Sequence, residues 1–210
     1  MTEKESSNVV TPTYRCLAAV ADFHRHIGVV PDPASPAQAA LRSRLILEEY
    51  AETYAALQEC DLIEAADGMA DLRYVVLGTA VVYGVQLPDD ANPEPDRRPV
   101  LGAVATLTFG RLPIWQVMRA LRDASNTAAL SASLAALDNI LGVFAFNLGI
   151  PLNRVFWEVH RSNMTKTARN AGTGSKYGDT TGTKHGGTSA KGPGYSPPDI
   201  AGVLGIEVSR

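Results

Sequence analysis

Eight of the chain's 22 acidic residues fall between Glu48 and Asp71: Glu48, Glu49, Glu52, Glu59, Asp61, Glu64, Asp67 and Asp71. Glu49 and Glu52 are three apart and Glu48 and Glu52 four apart; Glu64 and Asp67 repeat the first spacing and Asp67 and Asp71 the second. On a helix each set shares a face, where like charges cost about 0.2–0.5 kcal/mol per pair. Such a face is unfavourable until something cationic fills it. Hard divalent ions take oxygen ligands of this kind, and Mg²⁺ in particular is held by a few carboxylates, water and substrate phosphates. A solvated helix face is the competing reading. Against it, Asp67 and Asp71 sit inside the otherwise apolar ADGMADLRYVVLGTA, where solvent-facing positions are few.

Positive charge gathers at the other end. Arg161, Asn163 and Lys166 offer charged and neutral donors over little more than one turn, and Lys176, Lys184 and Lys191 follow in a glycine-rich stretch. Glycines let a backbone approach phosphate oxygens closely, and a lysine among them acts as a point charge. A basic helix terminus followed by a plain tail has the same composition. None of His24, His26 and His160 has ligand spacing to another, and they read as surface or partly packed. Cys16 and Cys60 read as buried small apolar residues of a reducing compartment. Phe23 and Trp115 could stack a base but read as core, and Phe156, Trp157 and Val159 as helix packing.

These residues need elements to hold them. From Ser35 to Glu59 a Ser suited to capping and a Pro suited to the first turn open a helix whose stripe is Leu41, Leu45, Ile46, Tyr50, Tyr54 and Leu57. A second helix runs from about Asp61 to Tyr83, with Leu62, Ala66, Met69, Leu72, Val76 and Ala80 as its stripe. Only Cys60-Asp61 separates them, so they form an antiparallel hairpin that brings the two acidic faces together. The proline-rich Val85 to Pro113 carries one apolar piece, VLGAVATLTF, either a short strand or a helix turn. Further helices follow at Pro113 to Arg122, Ala128 to Leu148 and Pro151 to Lys166. LGVFAFNLGIPL, from Leu141, loosely echoes LGTAVVYGVQLP, from Leu77. Thr167 to Gly194 reads as a flexible loop or disordered tail, and the apolar YSPPDIAGVLGIEV after it as a short docked element.

Composition narrows the function classes. A net charge of -3 leaves no excess of Lys and Arg for coating a nucleic-acid polymer. The N-terminus lacks the layout of a signal peptide, and the apolar stretches Val75 to Val85 and Ile140 to Leu152 fall short of the roughly 20 residues of a spanning helix. The expectation is a soluble cytoplasmic chain of one domain with no membrane partner.

The hairpin resembles the all-α nucleoside triphosphate pyrophosphohydrolases, the MazG and phosphoribosyl-ATP pyrophosphohydrolase-like group, whose signature is E-x-x-E followed by E-x-x-D. This chain has EEYAE, Glu48 to Glu52, then EAAD, Glu64 to Asp67. VADFHRHIGV around Phe23, HRSNMTK from His160 to Lys166 and KGPGYSPPDI from Lys191 to Ile200 are similar to flanking segments of the phage-type and bacterial branch. The resemblance implies an all-α helical bundle and a Mg²⁺-dependent enzyme, with Mn²⁺ as a substitute, that splits a (deoxy)nucleoside triphosphate into monophosphate and pyrophosphate. Candidates include dGTP and dUTP. It implies a metal set of Glu49, Glu52, Glu64 and Asp67, with Asp71 or Glu48 as a further ligand or as the base that orients water. Either Asp67 or Asp71 serves as the last ligand. It further implies that Asn163, Lys166, Arg161 and Lys191 bind phosphate, and that the chain is a homodimer or homotetramer. The family core would be residues 15–87 and 151–166, with 88–150 an insertion and 167–210 a loop and docked tail. A catalytically silent nucleotide-binding or metal-binding module and an acidic helical scaffold are the alternatives from other classes.

Overall fold

The computed structural model describes residues 12–88, 94–102, 105–168 and 189–207. Its helices are α1 (Pro12–His26), α2 (Pro36–Gln58), α3 (Leu62–Tyr83), α4 (Ala105–Phe109), α5 (Ile114–Arg122), α6 (Thr127–Leu148), α7 (Leu152–Asn163) and α8 (Ile200–Leu204). Thr167–Ala168 (β1) and Ser189–Ala190 (β2) form a two-residue antiparallel ladder, so the fold is all-α.

The α2–α3 hairpin forms at the expected place, with different terminal chemistry. Pro36 opens α2, but the Ser35 side chain makes no capping bond. Asp61 is the effective cap, because its carboxylate accepts the N–H groups of Ile63 and Glu64 at 3.1 and 3.0 Å and so satisfies two orphan donors of α3. Cys60 takes the left-handed conformation at φ 57, and Asp61 N–H reaches back to Ala56 O at 2.9 Å, closing α2 in a Schellman-type turn. Cys60 is therefore exposed, not buried as its residue type suggests, while Cys16 is in the core.

α3 is the central helix, packed by α1, α2, α6, α7 and α8. The single stripe read from the sequence understates it, since Tyr74, Leu77, Val82 and Tyr83 are buried as well as Met69, Leu72, Val76 and Ala80. α2 departs in the opposite sense. Of its expected stripe only Ile46 and Leu57 are buried, together with the polar Gln38, Arg42 and Thr53. Two glycines explain how polar side chains fit there. A Cβ on Gly68 would lie 2.6 Å from Thr53 Oγ1, and one on Gly78 would lie 2.7 Å from Arg42 Nη2. Arg42 uses that space to donate to Thr79 Oγ1 at 3.0 Å and Val75 O at 2.6 Å, tying α2 to α3.

α1 has no counterpart in the helices expected from the pattern. Cys16, Val20, Phe23 and Ile27 recur at helical spacing and pack it on α3. Of VLGAVATLTF, Ala105–Phe109 forms a helix turn, α4, whose Phe109 stacks on Tyr50 with centroids 5.2 Å apart. α6 packs on α3 and α5, and a buried Arg73–Asp138 ion pair, with Arg73 also donating to Asn153 Oδ1 at 2.6 Å, links α3, α6 and α7. By length and composition alone α6 could cross a membrane, contrary to the shorter span expected, because its 22 residues extend the apolar run through Ala and Ser. The echo between the two LG-rich segments is a shared helix ending. α3 and α6 stop at left-handed Gly84 and Gly149, with Val85 N–H on Ala80 O and Ile150 N–H on Ala145 O.

α7 ends at Asn163, three residues before the expected Lys166. The docked tail element is α8, held by buried Ile200 and Leu204 against α3 and α7. Most of the expected glycine-rich loop lies outside the described residues; the β1–β2 ladder joins the segments on either side of it.

Candidate active site

The hairpin encloses a cavity of ≈ 280 Å³ lined by Glu49, Glu52 and Glu59 of the α2 side, Glu64, Asp67 and Asp71 of α3, and the small Ala55, Ala56 and Gly68. Antiparallel packing produces this, because each acidic face flanks the side of its helix that meets the other, and Gly68 lets the backbones approach. Glu49, Glu52, Glu64, Asp67 and Asp71 are thus brought together. Glu48 is half-buried and adds to the repulsion on Glu49, but does not line the cavity.

The electrostatics are those of crowded anions. Burial, then the charges of Asp71, Glu52 and Glu48, push Glu49 up to about 9, with Lys166 opposing. Burial and Asp67 push Asp71 up to about 7, again against Lys166. Burial and Glu64 push Asp67 up to about 6, opposed by Lys166 and Lys191. Asp67 Oδ1 is buried with no hydrogen-bond partner.

Across from the acids, Lys166 is half-buried on a fixed backbone: its N–H donates to Asn163 O at 3.0 Å and its carbonyl meets His26 Nε2 at 2.8 Å. Asn163 is buried, and its side chain bonds the Tyr74 hydroxyl, which also meets His160 Nδ1 at 2.9 Å. Tyr74, one turn beyond Asp71, feels that carboxylate's charge and is raised by burial; the sequence reading did not assign it a role. Arg161 points its guanidinium at Glu158, Ser196 Oγ and Pro197 O. Lys191 is exposed, with Nζ 4.9 Å from the Tyr195 ring centroid.

Residues 20–91 match the model of the family described as phosphoribosyl-ATP pyrophosphohydrolase. This segment belongs to the MazG-like all-α nucleoside triphosphate pyrophosphohydrolase superfamily. The chain is also 26% identical over 178 residues to the uncharacterized protein L479 of Acanthamoeba polyphaga mimivirus, covering 72% of this chain and 71% of that protein. No solved structure matches.

The pyrophosphohydrolase segment contains the C-terminal part of α1 from Val20, all of α2 and α3, and every carboxylate of the cavity; Asn163, Lys166 and Lys191 lie outside it. At the family level its chemistry is of the pyrophosphohydrolase type. His24 is not a surface or partly packed residue as expected but buried, and it is pushed down to about 3 by burial and then by Arg42. Phe23 is core, meeting Tyr74 edge-on with centroids 5.6 Å apart. Trp115 is not core as expected: it is 61% exposed, with Arg119 over its ring. Phe156 and Val159 are buried as helix packing, whereas Trp157 is 42% exposed.

Proposed function

We propose that the chain is a Mg²⁺-dependent pyrophosphohydrolase that converts a (deoxy)nucleoside triphosphate to the monophosphate and pyrophosphate, with Mn²⁺ as a substitute. One observation carries the reading: five carboxylates from two facing helices stand in one cavity, at mutual electrostatic cost, inside a segment matching a pyrophosphohydrolase family.

The donor set fits a hard cation in kind. It is all oxygen, it carries excess negative charge, and Asp67 Oδ1 is buried without a partner. Among the described residues, however, no three such side chains stand close enough to hold an ion as placed, so binding requires the carboxylates to turn inward. Glu49, Glu52, Glu64 and Asp67 would hold the metal. The ion, when bound, activates water and neutralises phosphate charge.

The chain's own residues do the rest. Asp71, which lines the cavity where Glu48 does not, orients the attacking water and accepts its proton. Lys166 supplies fixed positive potential for the phosphates, and Lys191 adds a second charge. Asn163 keeps Tyr74 in place beside Asp71 while its remaining amide donor capacity serves the substrate. Self-association as a homodimer or homotetramer belongs to the same reading and is measurable by sedimentation equilibrium.

The test is pyrophosphate release from the standard and deoxy triphosphates with Mg²⁺ or Mn²⁺, comparing wild type with Glu52→Gln. Turnover lost in the variant supports the enzyme. Metal and nucleotide binding without turnover in the wild type would instead identify a silent binding module.

A further inference from the structure

We propose that Glu158, Arg161 and Thr165 form a clasp whose task is to set Lys191 at the acidic cavity, which makes Glu158 and Arg161 positioning residues. The inference rests on the reading of that cavity as a triphosphate site.

The three residues are spaced three and four apart, Glu158 and Arg161 in the last turns of α7 and Thr165 just beyond it, and grip one short stretch of the tail. Glu158 Oε1 accepts the Asp199 N–H at 2.8 Å and Arg161 Nη2 at 2.7 Å. Arg161 donates to Ser196 Oγ at 3.1 Å and to Pro197 O at 2.8 Å. Thr165 Oγ1 accepts the Ser196 N–H at 2.9 Å. Arg161 thus spends most of its donors on Glu158 and the tail.

Anchoring the tail does not need this. Ile200 and Leu204 already bury α8, and an exposed ion pair adds little to stability. What the clasp adds is geometry. Ser196 follows Tyr195, whose N–H closes a turn onto Gly192 O at 3.0 Å and whose ring lies under Lys191 Nζ. On the other side of Lys191, Ala190 pairs with Thr167, the residue after Lys166. Lys191 is thus held from both sides and placed next to Lys166, with both lysines in electrostatic reach of Asp67 and Asp71.

The experiment is a double-mutant cycle on the full chain with Arg161→Met, Lys191→Met and both together. Arg161→Met should raise KM for the magnesium triphosphate about tenfold with kcat within about twofold, since it removes binding shared by ground and transition states. The double variant should be no worse than Lys191→Met alone. An unchanged KM in Arg161→Met, or additive losses, overturns the clasp. Should Arg161→Met lose its melting transition, Ser196→Ala, which removes one contact, should show a smaller KM rise that also disappears in the Lys191→Met background; an additive effect there overturns it equally. If the wild type turns over no triphosphate, the underlying enzyme reading fails separately. The clasp is then read from calorimetric binding of magnesium tripolyphosphate, weaker in Arg161→Met and not further weakened in the double variant; equal affinity of Arg161→Met and wild type overturns it.

Discussion

The residues that define the cavity are those whose charges the metal-free fold tolerates least. Glu49 and Asp71 are held at about 9 and about 7, far above ordinary carboxylates, so the folded chain binds protons there that the unfolded chain has released. Stability must then fall as pH rises toward those values. His24 acts in the opposite sense. Held at about 3, it binds fewer protons folded than unfolded, so its contribution is lost as pH falls below its ordinary 6.5. The two effects oppose below pH 6.5, and the carboxylates act alone above it. The expected outcome, by urea denaturation of metal-free protein, is a steady loss of stability from pH 6.5 to 9, reduced in Asp71→Asn and reversed by added Mg²⁺. A flat profile over that window contradicts the account of the cavity. The acid spacing was legible from residue types alone, because like charges at i, i+3 and i, i+4 are self-opposing. Tyr74 was not, since its role depends on α7 bringing His160 and Asn163 beside it.

At the scale of elements, the hairpin turn and the helix contact set the cavity's width. Cys60 occupies a left-handed position that a side chain adopts at a cost, so Cys60→Gly should stabilise the chain by about 0.5–1 kcal/mol in urea denaturation, with destabilisation the contrary result. Gly68→Ala should do the opposite. Its Cβ would press on Thr53 Oγ1 and, at 3.2 Å, on the Thr53 backbone, pushing the acidic faces apart. A loss of about 1–3 kcal/mol together with weaker Mg²⁺ binding by calorimetry is expected, and a neutral variant would show that the close approach is not needed. α2, α3, α5 and α6 were readable because an apolar period, a short link or a proline bounded each. α1 was missed although its buried residues are helically spaced, because its sequence was read only as a flanking motif. The stripe of α2 was misread because buried Arg42 and Thr53 rely on glycines of a different helix, information no local period carries.

For the whole molecule, the modest charge of -3 hides a separation of acids on the hairpin from Lys166 and Lys191 at the end of α7 and the start of the tail. The family-matched segment supplies the acids. α4 to α6 lie beyond it and are tied back through Arg73 and Asp138, so the cavity does not depend on them for its carboxylates. The most direct measurement is therefore single-turnover pyrophosphate release over a full panel of nucleoside and deoxynucleoside triphosphates with Mg²⁺. The account predicts equimolar pyrophosphate and nucleoside monophosphate from at least one of them, lowered about a hundredfold or more in Glu52→Gln. No release from any triphosphate with Mg²⁺ or Mn²⁺, with calorimetry showing no metal bound, would contradict it.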